Sequence, residues 1–210
     1  MIKSIEGLTS EEAFLKALDE RISMCTNEIV IAKLDIDNFE TVNRFYGEFV
    51  GDQVIKKVAH VLVNNLDKEN LVCRTYKDEL TVLMDATPPE TGALIIEEIR
   101  TYFDEHLILV GEPEKEIAVR FSAGLAAFPR NGRSVTTLMD AADDAMRKAK
   151  SQGKNQIWIA QREEWIEKRI MIRRGTADKL SELSRRLDKT EAGIIRSALE
   201  IFFQQHDPTE

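Results

Sequence analysis

The stretch that most constrains the fold is Leu71-Val-Cys-Arg-Thr-Tyr-Lys-Asp-Glu-Leu-Thr-Val-Leu-Met84, in which two apolar runs flank a charged turn. β-prone residues on both sides of Tyr76-Lys77-Asp78-Glu79 predict a β-hairpin whose tip carries two adjacent carboxylates. A second run, Glu28-Ile-Val-Ile-Ala-Lys-Leu-Asp-Ile-Asp37, predicts a buried strand ending in Asp35 and Asp37. If these strands lie side by side, Asp35, Asp78 and Glu79 converge at one edge of a sheet. Three carboxylates so placed repel one another unless a cation joins them, and hard oxygen ligands suit Mg²⁺.

The remaining elements surround this pair. Thr9-Ser-Glu-Glu12 reads as a capping box, followed by Phe14, Leu15, Leu18 and Ile22 at helical spacing. Phe39, Val42, Phe45 and Tyr46 predict a short helix closed near Gly47, and Val54, Ile55, Val58 and Leu62 a longer one that begins after Gly51-Asp52. A break at Pro88-Pro89 precedes a helix through Leu94, Ile95, Ile96, Ile99, Tyr102 and Phe103. Ile117 to Gly124 reads as a strand, Leu138 to Lys150 as a helix ending near Gly153, and Gln156 to Ala160 as a last strand. Strands and helices alternate, but a tight hairpin interrupts them, so the expected class is α+β with a mixed or antiparallel sheet.

Composition excludes several functions. No apolar run approaches the roughly 18 residues needed to span a bilayer, and Met1 to Glu6 has no signal-like apolar region, so a cytoplasmic protein without membrane contact is expected. Cys25 and Cys73 have no metal-ligand spacing and suggest no disulfide framework, and His60, His106 and His206 are scattered. The net charge of -8 argues against a protein coated in nucleic acid. It also conceals an asymmetry, because residues 168–206 carry nine Lys and Arg against five Asp and Glu.

From about Asp35 to Ile159 the chain resembles the GGDEF, or diguanylate cyclase, family. Asp35-Ile-Asp-Asn-Phe-Glu-Thr-Val-Asn43 with Gly47 and Gly51-Asp52 is similar to the family's first motif. Tyr76-Lys-Asp-Glu-Leu80, preceded by Arg74, corresponds to the signature hairpin. Ser122-Ala-Gly124 with Pro129, and Ala142-Asp143 through Lys150 with Gly153-Lys154-Asn155, resemble the later strand and the final helix. The resemblance implies a ferredoxin-like palm. It implies a metal site of Asp35, Ile36, Asp78 and Glu79, and a guanine-nucleotide site of Phe39, Asn43, Asp52, Lys150 and Lys154. Asp52 also reads as a helix N-cap, and Asn43 as a partner of the local backbone.

The departures fall on the phosphate side. The two glycines that open the family's turn are Tyr76 and Lys77 here, the lysine of the first motif is Glu40, and the exit arginine is Lys154, which lacks the bidentate fork. Lost electrostatic clamps cost on the order of 10² to 10³ in rate each, so a catalytically degenerate domain with no catalytic residues is expected. Lys77 either stands in for a metal at Asp35 or points into solvent. The pattern of the family's inhibitory product site is absent from Asp67-Lys-Glu-Asn70.

Lys168-Arg-Ile-Met-Ile-Arg-Arg174 alternates, with Ile170 and Ile172 on one face and Arg169, Met171 and Arg173 on the other. Leu180, Leu183 and Leu187 predict a helix, and Thr190-Glu-Ala-Gly193 opens a second one. So small a segment needs a partner to bury a core. It resembles the ribbon-helix-helix family of DNA-binding proteins. The resemblance implies a homodimer in which Lys168, Arg169, Met171 and Arg173 face double-stranded DNA and the helix start at Thr190 and Glu191 meets a phosphate. A purely dimerising element with a basic edge is the other reading.

The expected organisation is a degenerate GGDEF domain over residues 1–160, a linker over 161–167 and a ribbon-helix-helix module over 168–206. The expected function is a DNA-binding transcriptional regulator that senses cyclic di-GMP or GTP, with Mg²⁺ as the candidate cofactor. The alternative is a divergent Mg²⁺-dependent nucleotidyl cyclase that dimerises through the C-terminal module. A scaffold without a ligand is a third reading.

Overall fold

The computed structural model describes residues 7–24, 28–161, 171–187 and 190–206. The chain divides into two compact units, Met1–Glu163 and Glu164–Glu210. Strand β1 (Ile29–Ile36) is the centre of the first, and all eight of its residues are buried. Its neighbours are β3 (Glu79–Asp85) and β6 (Phe121–Phe128), both antiparallel to it. β2 (Leu71–Tyr76) pairs antiparallel with β3, and β7 (Ile157–Ile159) runs parallel to β6. The order β2-β3-β1-β6-β7 is a mixed sheet, in keeping with the α+β expectation.

Because strand side chains alternate, β1 feeds two cores. Val30, Ala32, Leu34 and Ile36 belong to the core shared with Val54, Ile55, Val58 and Leu62 of α3 (Glu48–Asn65) and with Ile96, Ile99 and Phe103 of α4 (Pro89–Glu105). Ile29 and Ile31 belong to the core shared with Phe14 and Leu18 of α1 (Glu11–Met24) and with Leu138 and Ala142 of α5 (Val135–Ser151). The next two residues on that face are Lys33 and Asp35, only 7% and 9% exposed. Gly124 brings α5 down onto the sheet there: a Cβ on it would lie 2.1 Å from the Met146 nitrogen and 2.2 Å from the Ala142 oxygen.

Several boundaries differ from the sequence reading. Ser10, and not Thr9, caps α1, accepting from the Ala13 nitrogen through Oγ at 3.3 Å. Thr9 is used elsewhere, bridging to Cys73 and donating its N–H to the Val72 oxygen. The strand expected from Ile117 to Gly124 is two strands, since Ile117 ends β5 (Lys115–Ile117), which pairs with β4 (Ile108–Val110), whereas Phe121 opens β6 beside Ile36. α3 begins at Glu48 after Gly47, whose φ of 86° lies in the glycine region. Asp52 is therefore inside the helix, and the N-cap reading of it is corrected.

The second unit contains α6 (Arg174–Leu187) and α7 (Glu191–His206). Thr190 caps α7, its Oγ1 accepting from the Gly193 nitrogen at 3.1 Å. Of the expected ribbon strand, Lys168, Arg169 and Ile170 lie outside the described residues. Met171 to Arg173 are not in a strand, and Arg174 is helical. The Arg173 carbonyl already accepts from the Thr176 and Ala177 nitrogens, so the helical hydrogen bonds begin there. Among the described residues no helix is long and apolar enough to cross a membrane.

Candidate functional site

The register of the sheet builds the acidic edge. Asp35 is the Cα partner of Glu79 on β3 and of Ser122 on β6, and a bulge between Arg74 and Tyr76 precedes the turn. Lys77 takes a φ of 30°, the left-handed region that the family's glycine would occupy freely, and its carbonyl accepts from Arg74 Nε. Its ammonium lies 5.3 Å from the centroid of the Tyr76 ring, which is itself exposed. Asp35 instead receives Lys150 of α5, with Nζ 2.6 Å from Oδ2. The cation beside Asp35 is thus Lys150, and the reading that gave this role to Lys77 is corrected.

A second lysine sits deeper. Lys33 pairs with Asp143 Oδ1 of α5 and lies 3.7 Å from Glu79 Oε2. Sequence reasoning passed over it, although a lone lysine inside Ile29-Val-Ile-Ala-Lys-Leu34 was a visible signal. Burial raises the proton affinity of Asp78, and the nearby Asp35 raises it further. Burial also raises that of Glu79, where Lys33 opposes the rise and Asp143 and Asp35 add to it. Mutual repulsion at Asp35 and Asp78 is what a divalent ion relieves, so these two carboxylates fit Mg²⁺. Ile36 is 3% exposed and offers only its backbone. Among the described residues no three or more His, Cys, Asp or Glu side chains form a metal-holding group.

On the other side of β1, Phe39 and Asn43 of α2 (Phe39–Tyr46) meet Gly51 at the start of α3. A Cβ at Gly51 would stand 1.9 Å from Asn43 Oδ1 and 3.0 Å from Phe39 Cζ, so only glycine leaves Asn43 this position. Phe39 is a core residue. Asn43 Oδ1 is buried and has no hydrogen-bond partner among the described residues, so this oxygen does not serve the local backbone. Next to Gly51, Asp52 is half-exposed and 3.8 Å from Arg74 Nη1.

The exit of α5 is tied to the end of β1. Lys154 Nζ donates to Asn38 Oδ1 at 2.7 Å, and the Asn155 nitrogen donates to Asp37 Oδ2 at 2.8 Å. Asp37 also accepts from Ser122 Oγ at 2.9 Å. Asp37 is thus a brace between strand and helix exit. Cys73 is buried, and that burial pushes its thiol up to about 12, so it is an unreactive core residue. Cys25 lies outside the described residues.

In the second unit Met171 is fully exposed, and Arg173 is also exposed. Glu191 accepts from Ser181 Oγ, joining α7 to α6. Lys168 and Arg169 fall outside the described residues.

Comparison with known proteins bears on the first unit. The family profile described as diguanylate cyclase, GGDEF domain, matches residues 4–156. The cyclic di-GMP phosphodiesterase PdeR of Escherichia coli is 30% identical over 161 residues, covering 74% of this chain and 23% of PdeR. The diguanylate cyclase DgcP of Pseudomonas aeruginosa is 28% identical over 160 residues, again 74% of this chain and 23% of the relative. The chain therefore spans about a quarter of the length of these curated relatives. Among solved structures, the GGDEF domain of DgcB from Caulobacter crescentus in complex with c-di-GMP superposes with a TM-score of 0.69 at 25% identity, covering 76% of this chain and 99% of that one.

Proposed function

Because the chain belongs to the diguanylate cyclase GGDEF family, we propose that its first unit binds a guanine nucleotide, with the base received between Asn43 and Asp52. The observation that carries this reading is the Asn43 oxygen, buried without a donor among the described residues. An unmade hydrogen bond of this kind costs about 1–3 kcal/mol, and a guanine edge supplies the missing donor. The neighbouring Asp52 carboxylate accepts from ring N1–H and the exocyclic amine together. Adenine has an acceptor at N1, and its amine therefore has no ring N–H beside it to complete the donor pair, so the same carboxylate disfavours it. Lys150 and Lys154 leave the same end of α5 and supply charge for phosphates. Similarity to the Caulobacter domain solved with c-di-GMP supports that molecule as a second ligand. Displacement of a fluorescent GTP analogue tests the reading: GTP and cyclic di-GMP compete and ATP does not.

For the activity built on this site, a divergent Mg²⁺-dependent nucleotidyl cyclase ranks ahead of a DNA-binding regulator. It is supported by the retained Asp35, Asp78 and Glu79 and by the similarity to a named diguanylate cyclase. Asp35 and Asp78 would hold the ion, which when bound neutralises phosphate oxygens and activates the attacking hydroxyl. This chain's own residues orient the base through Asn43 and Asp52 and hold the Asp35 carboxylate in place through Lys150. A magnesium-dependent product from GTP, lost in Asp35→Asn, is the expected result.

The DNA-binding regulator is the second reading, supported by the basic excess of residues 168–206 and by the exposed Met171 and Arg173 ahead of two helices. A homodimer through this unit serves either reading. Arg173→Ala should cost about 1–3 kcal/mol at a cognate base. An equal loss on random DNA would make Arg173 a phosphate contact.

A further inference from the structure

Strand β1 and helix α5 exchange charges across their contact. On the strand Lys33 and Asp35 share a face, two residues apart, and on the helix Asp143 and Lys150 share a face, seven residues or two turns apart. Lys33 pairs with Asp143, and Asp35 with Lys150. Besides its helix partner, Lys33 makes an ion pair with a signature carboxylate, lying 3.7 Å from Glu79 Oε2. Asp78 and Glu79 are consecutive, and Asp35 is the register partner of Glu79, so three carboxylates stand next to one another in the backbone. The three side chains nonetheless do not converge as a three-ligand metal group among the described residues.

We propose that Lys33 is a positioning residue, an internal cation that draws Glu79 toward Asp143 and keeps it out of the divalent-cation site, leaving the ion to Asp35 and Asp78. A lysine 93% buried cannot swing into water to release Glu79, and its charge is felt strongly in so dry a setting. The site is therefore a weak, two-carboxylate cation site with an ammonium in place of a further metal charge. The inference deepens the nucleotide-site reading and rests on it for its biological meaning, but its test needs no nucleotide.

The test is Mn²⁺ titration of the full chain, read by electron paramagnetic resonance. Lys33→Met should raise Mn²⁺ affinity about tenfold or more, Glu79→Gln added to it should return the affinity to the wild-type level, and Lys33→Arg should leave it there. A Lys33→Met affinity within about twofold of wild type, or a gain that Glu79→Gln does not reverse, overturns the proposal. Should thermal melting show Lys33→Met unfolded, Lys33→Gln carries the same expectations. In the wild-type background Glu79→Gln should change Mn²⁺ affinity by less than about twofold, and a tenfold loss overturns the proposal. GTP binding is followed separately in each sample, so failure of the nucleotide reading shows as absent GTP binding and leaves the metal result standing.

Discussion

Asp35 on the central strand and Lys150 on α5 form an ion pair of 2.6 Å that anchors the helix exit to the acidic edge of the sheet. Asp35 is largely buried, so its carboxylate relies on this ion pair in place of water. Lys150→Met should destabilise the first unit by about 1.5–3 kcal/mol, the range for a hydrogen bond to a charged group. Urea unfolding of wild type and variant measures it, and a loss below about 0.5 kcal/mol would make the pair a surface-type contact.

Asp35 also acts on Asp78. Burial and then Asp35 push the Asp78 carboxyl above its ordinary value, so Asp35→Asn should lower the Asp78 pKa toward that of a free aspartate. Carbon-detected NMR titration of the side-chain carboxyl reads this directly. An unmoved Asp78 would mean that burial alone sets it.

The raised affinities of Asp78 and Glu79 give a pH dependence of definite sign. Each carboxyl binds its proton more tightly in the folded than in the unfolded chain, so the folded state binds more protons and stability falls as pH rises through this range. Asp78→Asn removes the cost of the buried charge. The variant should be more stable than wild type at neutral pH, and the gap should close on acidification through the folded pKa toward about pH 4, the unfolded value. Melting curves across pH check it, and a gap that widens on acidification would reverse the assignment.

Gly124 is where α5 touches the sheet backbone. A methyl there meets main-chain atoms at 2.1 and 2.2 Å, which no rotamer change relieves. Gly124→Ala should cost about 3 kcal/mol or more, and it should weaken GTP binding too, since Lys150 rides on the displaced helix. Intact melting and intact binding would show that α5 can shift freely.

The order of elements was legible because β1 is a mainly apolar run, interrupted only by Lys33 and Asp35, and because α3, α4 and α5 repeat apolar residues at helical spacing. The meeting of Asp35 with Glu79 followed from the two strand ends alone. Legibility stopped where contacts are long in sequence: nothing local tells Lys33 to choose Asp143, or Lys150 to choose Asp35, since both choices are made by the close seat that Gly124 gives α5. For Lys77 the sequence left two readings open, a partner of Asp35 or a lysine in solvent, and the turn geometry instead sets its ammonium over the exposed Tyr76 ring. Thr9 looked like a cap by residue type, but an edge bridge to Cys73 claimed it.

Calorimetric titration of wild type and Asn43→Ala with GTP tests most directly whether the Asn43 oxygen receives the base. Saturable binding to the wild-type chain, weakened about tenfold in Asn43→Ala, is the predicted result. Absence of binding heat with both GTP and cyclic di-GMP, or equal affinity in the two proteins, would contradict the assignment of the cleft to guanine.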